Sequence, residues 1–404
     1  MGNSLSLQYR PGTSMTEDVA SKRVRIESVD VGRGVIMIIM ALDHVRDYFS
    51  NPGFEPNDLS HTTVALFFTR WITHLCAPVF FLLTGTGACL SLRKQSQSQL
   101  SRFLFTRGLW LIFLELVVVR CLGWQFNFDY HLTLLIVLWA LGWSMIVLSA
   151  LIYMPASWVT AFGVVLIAGH NLLDGIQSAN PIWSILHSPN MVWSNDQHFV
   201  FALYPLIPWV GVAAAGYGLG QIYKWVPERR KAFLSRLGLA VTGAFLVIRA
   251  INIYGDPFRW SAQKSAAFTM LSFLNTSKYP PSLLYLLMTL GPAMLFLRAV
   301  DGGVPQWLRP VLVVGKVPMF YYLLHVPLIH VIAVIVCYAH YGQAHWMFES
   351  PSIEYFPITR PPGWGYSLPV VYLIWILVVV ALYPLCKWYA GLRQRSSNPW
   401  LSYL

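Results

Sequence analysis

The sequence predicts an all-α protein, a polytopic integral membrane helical bundle of about ten transmembrane helices (nine to eleven). Three observations carry that expectation. Hydrophobic residues make up 56% of the 404 and charged residues only 11%, less than half of the roughly 25% expected of a soluble domain. The apolar residues are gathered into runs of about 20, the length that crosses a hydrocarbon core of about 30 Å. The formal net charge of +11 comes from Lys and Arg placed between those runs, which marks topology and excludes a nucleic-acid-binding role.

Taken in order, the apolar runs place helices at 32–50, 63–92, 103–123, 132–154, 157–176, 200–224, 232–252, 280–300, 310–338 and 367–391. Pro78, Pro318 and Pro327 mark kinks or breaks, because proline removes a helical N–H. Both ends and the even-numbered connections hold Lys22, Arg23, Arg25, Arg93, Lys94, Arg102, Lys224, Arg229, Arg230, Lys231, Arg309, Lys387, Arg393 and Arg395. By the positive-inside rule both termini are cytoplasmic. Loops 51–62, 177–199 and 339–366 then face outward, the last two rich in Trp, Pro and His. With no internal repeat and no separate soluble domain, the expected organisation is a cytoplasmic tail 1–27, a membrane domain 28–391 and a second cytoplasmic tail 392–404. The first twenty residues are polar and hold no apolar stretch of a cleavable signal. Cys76, Cys89, Cys121, Cys337 and Cys386 show no paired spacing, so they are expected as core residues and not as a disulfide or zinc framework.

Ionisable groups inside a membrane are costly and mark function. The first helix holds the sharpest set: Asp30 and Arg33 at its cytoplasmic end, Asp43 and His44 near its outer end. Arg33, Met37, Met40 and His44 are spaced four, three and four, which places them on one helical stripe. His44 lies roughly 16 Å beyond Arg33 along the axis at about 1.5 Å per residue. A ligand threaded along this face would bind by its anion at one end and react at the other. An imidazole can take a proton from a hydroxyl or amine and can itself carry an acyl group. Asp43 points about 100° away from His44, so it pairs with His44 or instead with Arg46 or Arg70.

Arg70 and His74 share a face of the second helix, where His74 can approach His44. Thr84-Gly85-Thr86-Gly87-Ala88 reads as a close helix-packing surface or a backbone approach to a ligand. Arg107, Glu115, His170, Asn171, Asp174, Arg249, Asn252, Lys316, His325 and His330 are further intramembrane polar groups, each equally readable as a satisfied interhelical contact. No metal is expected: His325 and His330 are five apart and poorly matched to one face, and no HExxH occurs. Nor is there a GxSxG elbow, a Walker A motif or a Rossmann fingerprint.

Several stretches together carry a family resemblance: SVDVGRGVIMIIMALDHVRDYF (28–49), LFFTRWITHLCAPVFFLLTGTGACL (66–90), AGHNLLDG (168–175), YPLIPWVGV (204–212), KYPPSLLYLLMTLGP (278–292), GKVPMFYYLLHVPLIH (315–330) and WLSYL (400–404). In these the chain resembles the bacterial relatives of heparan-alpha-glucosaminide N-acetyltransferase. Its first helix, Asp-x-x-Arg with a histidine eleven residues after the Arg, is also similar to that of the polysaccharide O-acyltransferases. Both resemblances imply transfer of an acyl group, usually acetyl from cytoplasmic acetyl-CoA, to a hydroxyl or amine of an extracytoplasmic glycan or similar acceptor, in a bacterial inner membrane. Asp30, Arg33 and His44 match the O-acyltransferase pattern, whereas the lysosomal N-acetyltransferase carries its catalytic histidine in the following loop, where this chain has His61. The acyl-handling histidine therefore stays open between His44 and His61, with His44 preferred for its shared face with Arg33.

The leading expectation places the CoA phosphates near Asp30, Arg33, Arg93, Lys94 and Arg102, with His44 as base or acyl acceptor, His74 as its assistant and Asp43 beside it. The bilayer and acyl-CoA are the expected partners, nucleic acid is not one, and a second copy of the chain is left open. The alternative class is a transporter or flippase of a glycan or lipid precursor, for which paired broken helices in repeated halves would be expected.

Overall fold

The apolar runs fold as helices, as they must where no water is present to hydrogen-bond the backbone. The computed structural model describes residues 26–92, 95–396, 398 and 401. The chain begins with α1 (Glu27–Phe49), α2 (Val64–Ile72), α3 (Cys76–Ser91) and α4 (Gln97–Phe113), which continues as the π-helical stretch Leu114–Trp124. Strand β1 (Leu132–Leu135) then precedes α5 (Val137–Leu151), α6 (Ala156–Gly169) and α7 (Pro181–Leu186). Strands β2 (Asn190–Ser194) and β3 (Phe199–Ala202) lead into α8 (Leu206–Leu219) and α9 (Pro227–Ile251). The rest is α10 (Ala266–Leu274), α11 (Leu283–Val300), α12 (Arg309–Lys316), α13 (Pro318–Tyr341) and α14 (Leu368–Arg395).

Six helical stretches among the described residues are long and apolar enough to cross a membrane: Val64–Ser91, Ala156–Leu173, Pro227–Ile251, Leu283–Val300, Pro318–Tyr341 and Leu368–Arg395. The chain is thus a helical, multi-pass membrane protein. The other expected spans are helical but fall short for identifiable reasons. Helix α1 carries Asp30, Arg33, Asp43, Arg46 and Asp47, and α5 is only 15 residues long because the run before it is a strand. The expected helices 132–154 and 200–224 both start too early: Leu132–Leu135 pairs in parallel with Phe199–Ala202, and β2 adds to β3 antiparallel. A run of four residues is too short to have a period that separates strand from helix. Pro205 then caps α8 with extended backbone, which delays that helix to Leu206.

Helix α1 is the axis of the bundle. Of its 23 residues 17 are buried, and it packs against α3, α11, α12, α13 and α14. Close crossings of this kind need small residues. A Cβ on Gly34 would overlap the Val311 carbonyl, and one on Gly315 would overlap that of Asp30, which fixes α1 against α12. Gly85 and Gly216 do the same for α3 and α8, where each meets a carbonyl of the other helix. The Gly85 part of the small-residue stretch is therefore helix packing. All five cysteines are free and buried.

Two of the intramembrane charges are structural. Glu115 accepts the Leu138 N–H at 2.7 Å and so caps the start of α5. Arg249 donates to the carbonyls of Phe258, Ser272, Phe273 and Asn275, which gathers segment 256–276 beneath α9. The 342–366 segment, shorter than the expected loop 339–366 because α13 runs on to Tyr341, folds over the far end of α1: the Trp364 indole donates to Tyr48 O at 2.8 Å and Arg360 to Asp47 O at 2.9 Å. That loop satisfies carbonyls a helix end leaves unpaired.

The glycine crossing of α3 and α8 gives a direct test. Gly85→Val forces the two backbones apart, and overpacking of this kind costs about 1–3 kcal/mol. The expected result is a lower thermal midpoint in detergent, and an unchanged midpoint would show that the helices have room there.

Candidate active site

Near the C-terminal end of α1, successive residues at about 100° intervals send Asp43 and His44 into different surroundings. His44 Nδ1 lies 2.8 Å from His325 Nε2. His325 Nδ1 faces two backbone carbonyls, Tyr322 O at 2.7 Å and Tyr321 O at 3.2 Å. A carbonyl accepts only, so His325 Nδ1 carries the proton and its Nε2 is the acceptor. His44 Nδ1 is then the donor, and with both rings neutral the His44 Nε2 lone pair is left over. That nitrogen has no hydrogen-bond partner among the described residues. Trp124 meets the His44 ring edge-on with centroids 4.7 Å apart and, with His325, sets its plane.

Asp43 does not bond His44. Its carboxylate receives Arg46 Nη2 at 2.9 Å and Arg70 Nη1 at 3.0 Å, and Lys278 Nζ stands 3.7 Å away. Of the sequence alternatives for Asp43, the arginines are the partners, and both engage it. Arg46 also reaches Asp47 at 2.6 Å. A buried carboxylate needs such compensation, since an unpaired charge in a low-dielectric interior costs several kcal/mol.

Three cavities share lining residues in series, and α1 lines the first two. The first, about 250 Å³, is walled by Arg33, Arg107, Lys316 and Arg393 together with Phe80, Gly87 and Met319. The second, about 100 Å³, is lined by Asp43, His44, Asp47, Phe80, Trp124, Tyr204, Lys278, Tyr279 and Phe356. It has room for several water-sized groups. The third, about 740 Å³, is lined by Glu55, Asp58, Arg70, His74, Lys278 and Tyr279. Phe80 is common to the first and second, and Lys278 and Tyr279 to the second and third. The junctions β1 to α5 and β3 to α8 contribute Ile136, Val137, Leu203 and Tyr204 to the middle cavity, so the small sheet aligns one of its walls.

The sequence-predicted residues are distributed over this series. Arg33 pairs with Asp30 at 3.5 Å and donates to Leu83 O at 2.9 Å. A Cβ on Gly87 would meet Arg33 Nη2 at 2.5 Å, so this glycine gives the guanidinium passage. Arg102 is exposed and does not line the cationic cavity, while Arg93 and Lys94 lie outside the described residues. His74 is buried with its Nδ1 unpartnered and lines the third cavity, not the one that holds His44. His61 is exposed on the 58–61 turn, with Nδ1 2.7 Å from Asp58 Oδ2. Hydrogen bonds from Ser60 and His61 hold the Asp58 carboxyl down at about 2.

Sequence reasoning missed the partnership of His44 with His325, the place of Lys278 beside Asp43, and the cationic group formed by Arg107, Lys316 and Arg393. His325 and Lys278 each stand in a stretch that carried the family resemblance, but nothing in one sequence ties residues more than 230 positions apart.

Residues 25–254 match the family described as heparan-alpha-glucosaminide N-acetyltransferase, catalytic. The match covers more than half of the chain. The chain belongs to this family. Membership implies acetyltransferase activity in a membrane-embedded protein. No curated protein matches the chain. The matched segment holds Arg33, Asp43, His44, His61 and His74, while Lys278, Lys316, His325 and Arg393 lie beyond it.

The ion cluster makes its own prediction. Asp43→Asn leaves Arg46, Arg70 and Lys278 without their shared counter-ion, and breaking a buried pair this way costs about 3–5 kcal/mol. Lys278→Gln removes one cation of three and should cost clearly less. Thermal midpoints of the two purified variants in detergent check the order, which a larger loss for Lys278→Gln would reverse.

Proposed function

We propose that the protein is a transmembrane acyltransferase that moves an acetyl group from cytoplasmic acetyl-CoA to a hydroxyl or amine of an extracytoplasmic glycan or similar acceptor. The observation that carries this reading is the unpartnered Nε2 of His44 in a chamber set between a cationic cavity and an outer one. Family membership supports the same reaction class. The distribution of Lys and Arg supports cytoplasmic termini, which places the Arg33 cavity on the donor side and the His74 cavity on the acceptor side.

On this reading Arg33, Arg107, Lys316 and Arg393 meet the phosphates of the donor, and arginine's planar fork suits them. The thioester end passes Phe80 into the chamber. His44 Nε2 takes the proton of the acceptor O–H or N–H as that atom attacks the thioester carbonyl carbon. The C–S bond then breaks, and the thiolate leaves with the proton returned by the imidazolium. The Lys278 ammonium stands where it can stabilise the oxyanion. His325 holds the ring in the tautomer that leaves Nε2 basic, so it is a positioning residue. The same lone pair also serves a two-step route in which Nε2 first takes the acetyl group.

Inverted membrane vesicles given radiolabelled acetyl-CoA test sidedness and chemistry together. Wild-type vesicles should accumulate labelled product in their lumen. General-base catalysis is worth about 10²–10⁴-fold, so His44→Ala should lose at least that while His61→Ala keeps most activity. His325→Ala should lower kcat and leave the KM for acetyl-CoA near wild type. Full activity in His44→Ala together with a dead His61→Ala would move the chemistry to the loop.

Donor binding is a separate measurement. Arg33→Ala should weaken acetyl-CoA binding more than Arg33→Lys, which keeps the charge but loses the bidentate geometry. Equal binding by wild type and a folded Arg33→Ala protein would remove Arg33 from the donor site.

A further inference from the structure

The AGHNLLDG stretch has no part in the chemistry above, yet two of its side chains, His170 and Asp174, meet a third metal-binding side chain, His187, at one place. His170 opens the 3-10 turn His170–Leu173 that follows α6, and Asp174 is the residue that ends it. His187, at the end of α7, folds back so that its Nε2 lies 3.1 Å from Asp174 Oδ1. One ligand atom from each of His170, Asp174 and His187 falls within 4.8 Å of the others.

Hydrogen bonding does not account for the cluster. His170 is 2% exposed and neither of its ring nitrogens has a partner. His187 is also 2% exposed and its Nδ1 is unpartnered. Buried polar atoms are nearly always satisfied, and exceptions gathered at one point call for an ion or a bound group. Asn171 supports the carboxylate from behind: its Nδ2 donates to Asp174 Oδ2 at 2.8 Å, which leaves Oδ1 turned to the histidines. Such outer contacts orient ligating groups in metal sites.

We propose that His170, Asp174 and His187 bind a divalent transition-metal ion of the zinc class. Two imidazoles and one carboxylate form a nitrogen and oxygen donor set suited to Zn²⁺, whereas Ca²⁺ and Mg²⁺ favour oxygen alone. Three protein ligands leave a fourth tetrahedral position for water. None of the three side chains lines the cavities around His44, so the role is to clamp. Asn171 Oδ1 also accepts the Leu283 N–H at 2.8 Å at the start of α11. The ion would thereby tie the 174–187 segment to the 278–283 segment that carries Lys278 and Tyr279.

The test uses the full chain in detergent, purified on a histidine-free tag, stripped with a chelator and equilibrated with Zn²⁺ or Co²⁺ alone. Wild type should retain one zinc per chain by elemental analysis, show the visible bands of tetrahedral Co²⁺, and gain a higher thermal midpoint on zinc addition. His187→Ala and Asp174→Asn should lose all three responses, and His61→Ala should keep them. If a variant fails to insert, the reversible midpoint shift of wild type on zinc addition and chelation still decides. A wild type without bound zinc, without the bands or without the shift overturns the site, as does an undiminished zinc equivalent in folded His187→Ala.

Discussion

The carboxylate of Asp43 sets the terms for everything around it. A charge taken out of water must be matched where it sits, and this one is matched by Arg46 from its own helix, Arg70 from α2 and Lys278 from the segment before α11. Three stretches of chain far apart in sequence are therefore held at one point on α1. Buried ion clusters contribute little net stability against apolar replacements, but a wrong assembly would leave charges unmatched. Here the cluster selects the arrangement in which Lys278 and Tyr279 close the chamber next to His44.

A second constraint acts on the ring of His44. The carbonyls of Tyr322 and Tyr321 receive the His325 proton, His325 Nε2 receives that of His44, and the direction of the whole chain is settled by backbone carbonyls. No carboxylate takes part. The imidazole is thereby oriented without a fixed anion at its back, while the nearby negative charge of Asp43 is engaged by its cations. The glycine crossings matter for the same reason, because the register of α1 against its neighbours decides whether rings on α1 and α13 meet at hydrogen-bond distance.

Much of this was legible in the residues. Hydropathy placed the helices, and charge in a membrane helix singled out Asp30, Arg33, Asp43 and His44. The spacing of Arg33 and His44 put both on one stripe of α1, and in the structure each lines a cavity, though not the same one. What escaped was long-range or too short to have a period. Leu132–Leu135 forms a strand because β3 lies beside it, a fact about residue 199 and not about residue 132. His325 was weighed against His330 for a shared helical face, although its partner is on another helix. His330 bridges Gly123 O and Met347 O. Arg102 looked equal to the other basic residues, but only burial distinguishes it from Arg107 on the same helix.

The single aromatic ring of Phe80 between two cavities has a consequence for the cell's energy supply. A membrane that stores a proton gradient loses it through any continuous file of water, and each charge that leaks dissipates about 2.3 kcal/mol per 100 mV. For the proposed transfer, two chambers that share a wall, in place of one open pore, would let a group be handed across while ions are held back. If the proposed transfer runs between them, the Phe80 ring would be the door of an airlock, and a smaller side chain there would be felt first as a leak.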